Sequence, residues 1–459
     1  MSVNPEASPQ LEALPNEPKN TKTSWLDRQF KLSQRNTTVK TELIAGLTTF
    51  IAMSYIIFVV PGTLSEAGMP KEAAIAAVIF SSIIATLLYA MLANMPIAVA
   101  PGLGLVAFFT YTVVLGMGLT WQTALGAVFI SGVTFFILAI TGIRKKVIES
   151  VPEVLQSAIG VGIGLFITFI GMKNAGIIVA SEGTTVALGK IITPGPILAI
   201  AGLILAAVLT ARNVKGALIL SILATTVVAM IVGAVQMPKG LGDVISFSIP
   251  SLSDTFLQMD IKAAIGYGII SVIFSFTIVE VFDNTAALIG LTRRAGLMDK
   301  NGKIENVNRA FVADGLATMS SSCLGATAMN PYLENTTGIA EGGKTGLTAL
   351  VVAGLFLIAL LFAPLVAIVP PFATAPALIL VGAFMFTEIT RINFDDFTDV
   401  VPAFLTIIMM PLTFSIAEGL AFGFISYSLL KVLTGKAKEV TWTVHIISIA
   451  FLINFFYHG

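Results

Sequence analysis

The sequence predicts an all-α polytopic membrane protein of about fourteen transmembrane segments, arranged as two inverted repeats of seven. Three observations carry that expectation: an apolar composition, apolar blocks about 20 residues long, and paired helix-breaking motifs in the two halves. Of the 459 residues, 56% are hydrophobic and 11% charged, against about 25% charged in an average soluble domain. So little polar surface cannot cover a water-soluble body of this size. The zero formal net charge argues against nucleic acid as a partner. One cysteine (Cys323) and two histidines (His445, His458) exclude a disulfide framework and a Cys/His metal site, and no cofactor is expected.

Residues 1–40 are polar, read as a cytoplasmic tail, and lack the apolar core of a cleavable signal peptide. The first stretch, rich in Pro, Glu and Asn, has the composition of a disordered tail. Trp25, Leu26, Phe30 and Leu32, mixed with Arg28, Lys31 and Arg35, suit either a short helix on the membrane surface or a plain linker. Apolar spans follow at 41–60, 73–92, 97–117, 121–141, 155–178, 196–210, 216–235, 265–290, 311–329, a short one near 333–343, 347–369 and 373–390. The run 402–430 would be about 44 Å long as one helix. That is too long for one untilted crossing, so it is read as a hairpin turning near Ser415–Gly419. Residues 442–457 remain as an interfacial helix or a further crossing.

Basic residues set the orientation. Arg28/Lys31/Arg35/Lys40, Arg144/Lys145/Lys146, Arg212/Lys215, Arg293/Arg294/Lys300/Lys303 and Lys431/Lys436/Lys438 all fall on one side of a fourteen-span count. The parity supports the hairpin and a cytoplasmic N-terminus. A weak internal repeat agrees. Thr123-Ala124-Leu125 opens the fourth span and Thr348-Ala349-Leu350 the eleventh, and the loops after them reach Val151-Pro152 and Val369-Pro370. An odd offset of seven spans inverts the second copy, the usual architecture of secondary transporters.

The same symmetry marks where chemistry is expected. The third span carries Ala100-Pro101-Gly102-Leu103-Gly104; the tenth carries Asn330-Pro331-Tyr332-Leu333-Glu334-Asn335. Proline and glycine break helices, and unwound backbone at membrane depth persists only where protein or a wet cavity satisfies it. Paired breaks therefore point to a central binding site facing two half-helix N-termini, rather than to two packing kinks. In the eighth span Thr277, Glu280 and Asp283/Asn284 form one polar stripe on an apolar rod. Two acids one turn apart repel if both are ionised, so one is expected to hold a proton near neutral pH, which suits a proton-coupled carrier. The competing reading is a neutral pair acting as helix glue. Glu388 and Glu418 are read as solvated, and Asp314 and Glu341 stay ambiguous. Gly160-Val161-Gly162-Ile163-Gly164 lies inside a span and reads as close helix packing, not as a nucleotide loop. Asp299-Lys300-Asn301-Gly302 lacks most of a calcium loop's ligands. Ser320, Ser321, Ser322 and Cys323 have no histidine in their span to activate them, so no enzyme is expected.

Several motifs carry a resemblance: 41–50 (TELIAGLTTF), Ala100-Pro101-Gly102, Phe282-Asp283, 341–349 (EGGKTGLTA) and 369–378 (VPPFATAPAL). From about Trp25 to Lys438 the chain resembles the nucleobase:cation symporter family of uracil, xanthine and purine permeases, and most the branch for adenine, guanine and hypoxanthine. The resemblance implies a core domain (41–141 and 265–369) sliding against a gate domain (155–235 and 373–433), with a C-terminal segment at 434–459. It also implies short strands in the broken third and tenth segments, a place in the cell inner membrane, and a homodimer. Residue by residue, it makes Glu280 the acid that touches the base and couples to the proton, with Asp283 supporting it. Glu334 would bind the edge of the base, with Tyr332 and Asn335 beside it, and Phe108 or Phe109 would contact the ring. Three departures stand out: Val106 where the branch usually has Asn, Glu280 where it commonly has Asp, and Leu333 and Asn335 flanking Glu334. The expectation is proton-coupled (or sodium-coupled) uptake of a purine base. Alternatives are a uracil or xanthine permease, an anion exchanger or channel on the related fold, or a membrane receptor. An anion carrier would place Arg or Lys at the site, where this sequence places Glu280 and Glu334.

Overall fold

A computed structural model describes residues 24–142, 150–266, 270–299 and 304–458. The expected tail before Ser24 and the basic residues Arg144, Lys145, Lys146, Lys300 and Lys303 lie outside them.

Among the described residues, nine helices are long and apolar enough to cross a membrane, and four shorter apolar helices accompany them. A short helix α1 (Trp25–Phe30) leads in. It docks on protein: Phe30 and Leu32 are buried against Leu347 and Leu350, while Trp25 stays exposed. Arg35 fastens this segment, its Nη1 donating to the carbonyls of Asn94 (2.5 Å) and Lys344 (2.7 Å). The first span is two helices, α2 (Val39–Met53) and α3 (Ile56–Glu66), interrupted at Ser54-Tyr55. No proline or glycine announces that interruption. Next come α4 (Lys71–Leu88), strand β1 (Val99–Pro101), the half-helix α5 (Leu103–Ala107, continued as a π-helical stretch to Gly116) and α6 (Trp121–Thr141).

Helix α7 (Glu153–Asn174) follows, then a hairpin of β2 (Ile178–Ser181) and β3 (Thr185–Leu188), then α8 (Pro194–Ala211) and α9 (Ala217–Ile231). The second half repeats the plan: α10 (Ile261–Gly266), α11 (Ile270–Arg294), α12 (Val307–Leu324), strand β4 (Met329–Pro331), the half-helix α13 (Asn335–Ala340) and α14 (Gly346–Ala359). After α15 (Ala363–Ile368) and α16 (Pro371–Phe386), the run 402–430 folds as α17 (Phe397–Thr413) and α18 (Ile416–Leu433). They turn at Phe414-Ser415, where Phe414 has φ 53 and the Ser415 side chain caps α18. A last helix, α19 (Trp442–His458), packs on α18 through Phe451 and Phe424.

The repeat is visible in the caps. Thr120 accepts from the Thr123 N–H to start α6, and Thr345 accepts from the Leu347 N–H to start α14. Pro152 and Pro370 stand just ahead of α7 and α16. Strands β1 and β4 occupy corresponding places and pair antiparallel, Ala100 facing Asn330, as two inverted copies require. The glycines of α7 serve packing. A methyl on Gly162 would sit 2.6 Å from Met410 Sδ, and one on Gly164 2.7 Å from Met385 Cβ, so α7 can approach α16 and α17 only without side chains there.

Candidate substrate site at the paired chain breaks

Two strands of three residues at the centre of an apolar body leave many backbone groups to satisfy, because no water-exposed edge is available to them. Side chains from three helices, and Tyr332 just after β4, do it. Thr86 Oγ1 donates to the Val99 carbonyl (3.1 Å) and accepts from its N–H (3.0 Å). The Asn335 amide holds Ala98 from both sides, accepting from its N–H (2.7 Å) and donating to its carbonyl (2.9 Å). Tyr332 donates its hydroxyl to the Pro101 carbonyl (2.5 Å), and Asn284 Nδ2 to the Met329 carbonyl (3.0 Å). The Gly102 N–H reaches the Ala328 carbonyl (3.0 Å). A methyl on Gly102 would lie 2.7 Å from Asn330 Cγ, so only glycine lets β1 lie against Asn330. Asn335 and Tyr332, expected beside the base, thus spend their polar atoms on the backbone that shapes the site.

The three acids gather around β4. Glu280 is fully buried, and Thr318 Oγ1 donates to its Oε1 while accepting from the Met329 N–H (3.1 Å). Ser131 Oγ approaches the other carboxylate oxygen at 3.4 Å. Asp283, half-buried, accepts from Asn330 Nδ2 (3.1 Å). Glu334, half-buried just after β4, accepts from the Tyr55 hydroxyl (2.7 Å). Val106, Phe108 and Phe109 are buried on the half-helix behind β1. Phe108 stands edge-on to Phe276, one turn before Glu280, with centroids 4.8 Å apart. Two buried amide oxygens at this junction, Asn284 Oδ1 and Asn330 Oδ1, have no partner among the described residues. Unpaired buried acceptors are costly, and a ligand bearing N–H donors would relieve them.

Sequence reasoning passed over Tyr55, Thr318, Asn284 and Asn330 as site residues. Asn284 and Asn330 lay inside motifs already singled out, and Thr318 lies on a span unusually rich in Asp, Ser and Thr. Tyr55 had one faint signal, the polar pair Ser54-Tyr55 inside an apolar run. Of the ambiguous acids, Asp314 is buried and accepts from the Tyr89 hydroxyl (2.6 Å), and Glu341 pairs with Lys215 at 2.5 Å. Glu388 pairs with Arg391 (3.0 Å), and Glu418 is half-buried in the first turn of α18.

Residues 40–455 match a family described as the permease family. The adenine permease AdeQ of Escherichia coli is 42% identical over 94% of this chain and 96% of its own length. The guanine/hypoxanthine permease PbuO of Bacillus subtilis is 42% identical over 93% of this chain and 99% of its own. Among solved structures, the transmembrane domain of the cyanobacterial bicarbonate transporter BicA superposes with a TM-score of 0.62, covering 86% of this chain and 97% of that one. SLC26A9 superposes with a TM-score of 0.61, covering 93% and 73%. At 14% and 12% identity these two are likenesses of fold alone.

Proposed function

The chain belongs to this permease family, in the branch of adenine and guanine/hypoxanthine permeases, and from that membership we propose that it takes up a purine nucleobase by proton-coupled alternating access. The carrying observation is the convergence of Glu280, Asp283 and Glu334 on one strand, beside two unpaired amide oxygens. A purine is a flat ring whose edge presents several N–H donors. Carboxylate and amide oxygens accept them, and the apolar flank of Val106, Phe108 and Phe109 suits the ring. Glu334 binds the edge of the base; Glu280, tied through Thr318 to the same strand, carries the proton, with Asp283 in support. Acids rather than Arg or Lys at this point favour a base over the anions of the fold neighbours.

In this reading the fourteen segments form a core (41–141 and 265–369) that slides against a gate (155–235 and 373–433) in the inner membrane, with the N-terminus cytoplasmic. The β1–β4 pair knits the two core segments, and the glycine contacts of α7 with α16 and α17 knit the gate; both support motion as two bodies. Uptake of labelled adenine, guanine, hypoxanthine, xanthine and uracil, with and without a protonophore, is the test. Purine uptake abolished by the protonophore is expected. Uptake confined to uracil or xanthine would overturn the substrate, and protonophore-insensitive accumulation would overturn the coupling.

A further inference from the structure

The interruption of the first span has a consequence for the site. Between α2 and α3, at Ser54-Tyr55, the backbone stays right-handed helical but its hydrogen-bond ladder is interrupted, with Ser54 Oγ donating to the Ile51 carbonyl (3.1 Å) and the Val59 N–H donating to the Tyr55 carbonyl (3.1 Å). Tyr55 is fully buried, and its hydroxyl donates to Glu334 Oε1 at 2.7 Å across 279 positions of sequence. We propose that Tyr55 is a positioning residue for Glu334, fixing one carboxylate oxygen so that the other faces the substrate, and so sets discrimination among purine N–H patterns. The inference rests on the nucleobase reading of the site and adds to it a residue from the first span.

A glutamate reaches its carboxylate through three rotatable bonds, so without a second contact its acceptor direction is poorly defined. A phenol O–H to a carboxylate is among the stronger and more directional side-chain hydrogen bonds. The neighbouring tyrosine cannot substitute, because the Tyr332 hydroxyl is already given to Pro101. Besides the Tyr55 hydroxyl, the contact to this carboxylate among the described residues comes from the backbone N–H of Glu334 itself, which leaves the side chain's direction to Tyr55. An acceptor held in one direction rejects an analogue that lacks the matching N–H far better than a mobile one does.

The experiment compares wild type with Tyr55→Phe, which removes the hydroxyl and keeps the ring. The substrates are the purine that the wild type carries best and its derivatives methylated singly at exocyclic or ring nitrogens. KM, Vmax and inhibition constants are measured in cells, and melting temperature in detergent. The account expects KM to rise about tenfold with Vmax roughly unchanged. It also expects the penalty against the most strongly rejected methyl derivative to shrink several-fold. That penalty is a ratio within each variant and does not depend on how much protein folds. An unchanged penalty, or equal weakening for base and derivative, would overturn the role of Tyr55. A wild type that carries no purine would instead overturn the underlying functional reading.

Discussion

Glu280 and Asp283 on α11 and Glu334 just after β4 gather around one strand in different environments, and the division of work proposed for them follows those differences. Glu280 is sealed between Thr318 and Ser131, whereas Glu334 is half-buried and held by one phenol. Glu334→Ala should therefore weaken base binding by about tenfold or more, since each unpaired donor in a dry pocket costs about 1–3 kcal/mol. Equilibrium binding to purified protein checks this, and unchanged affinity would remove Glu334 from the site. Val106 is buried on the half-helix behind β1. Val106→Asn adds a donor and an acceptor where valine offers neither. Relative uptake among purines should shift more than total capacity does, and an unchanged preference profile would place this side chain away from the substrate. The acids around β4 were legible from sequence because a carboxylate in an apolar span stands out. Tyr55 was not, because its role comes from a contact 279 positions away, and a lone tyrosine in a span reads as packing.

At the scale of elements, two motifs that marked the resemblance turn out to be one contact. Glu42 is buried in α2 and accepts from the N–H groups of Lys344 (3.0 Å), Thr345 (3.2 Å) and Thr348 (3.2 Å), and from Thr348 Oγ1 (2.6 Å). It thereby caps the start of α14, satisfying amides that the first turn of any helix leaves unpaired. Gly343 allows this approach, since a methyl there would lie 2.8 Å from Ala45 Cβ. Glu42→Ala should cost several kcal/mol, because it takes the carboxylate from four donors, of which the Thr348 N–H keeps a backbone carbonyl, at about 1–3 kcal/mol for each one stranded. A large drop in melting temperature in detergent is expected, with little folded protein recovered; a melting point equal to wild type would contradict the capping role. The breaks in the third and tenth segments were legible because Pro and Gly announce them, and their antiparallel pairing is carried by the inverted repeat. The break in the first span was not, since Met53-Ser54-Tyr55-Ile56 contains neither residue. The docking of α1 was also hidden: its apolar residues suit a lipid surface as well as Leu347 and Leu350, and only the contacts of Arg35 separate the two.

Across the whole molecule, polar and charged clusters tie the ends of helices together. Lys431 gathers Asp396 (3.3 Å), Asp399 (2.8 Å) and Glu439 (2.8 Å), joining the start of α17 to the end of α18. There the Lys436 ammonium, 2.6 Å away, holds the Asp396 carboxyl below the usual carboxylate range. Glu66 accepts from Tyr111 (2.9 Å) and Asn174 (3.0 Å), joining the ends of α3 and α7. With Cys323 replaced, Lys438→Cys should react with an impermeant thiol reagent only from the cytoplasm, and Glu182→Cys only from outside. Labelling of both from one face would overturn the inverted-repeat topology. The central claim is that this site moves a purine with a proton carried by Glu280, and reconstituted liposomes with an imposed pH gradient test it most directly. Glu280→Gln keeps the shape and hydrogen bonding of the protonated acid but cannot release a proton. Wild type should concentrate the base against its gradient when the interior is alkaline, while Glu280→Gln should still exchange base for base without concentrating it. If Glu280→Gln concentrates the base under the same gradient, and a protonophore stops it, the proton travels on another group and the account of this site is wrong.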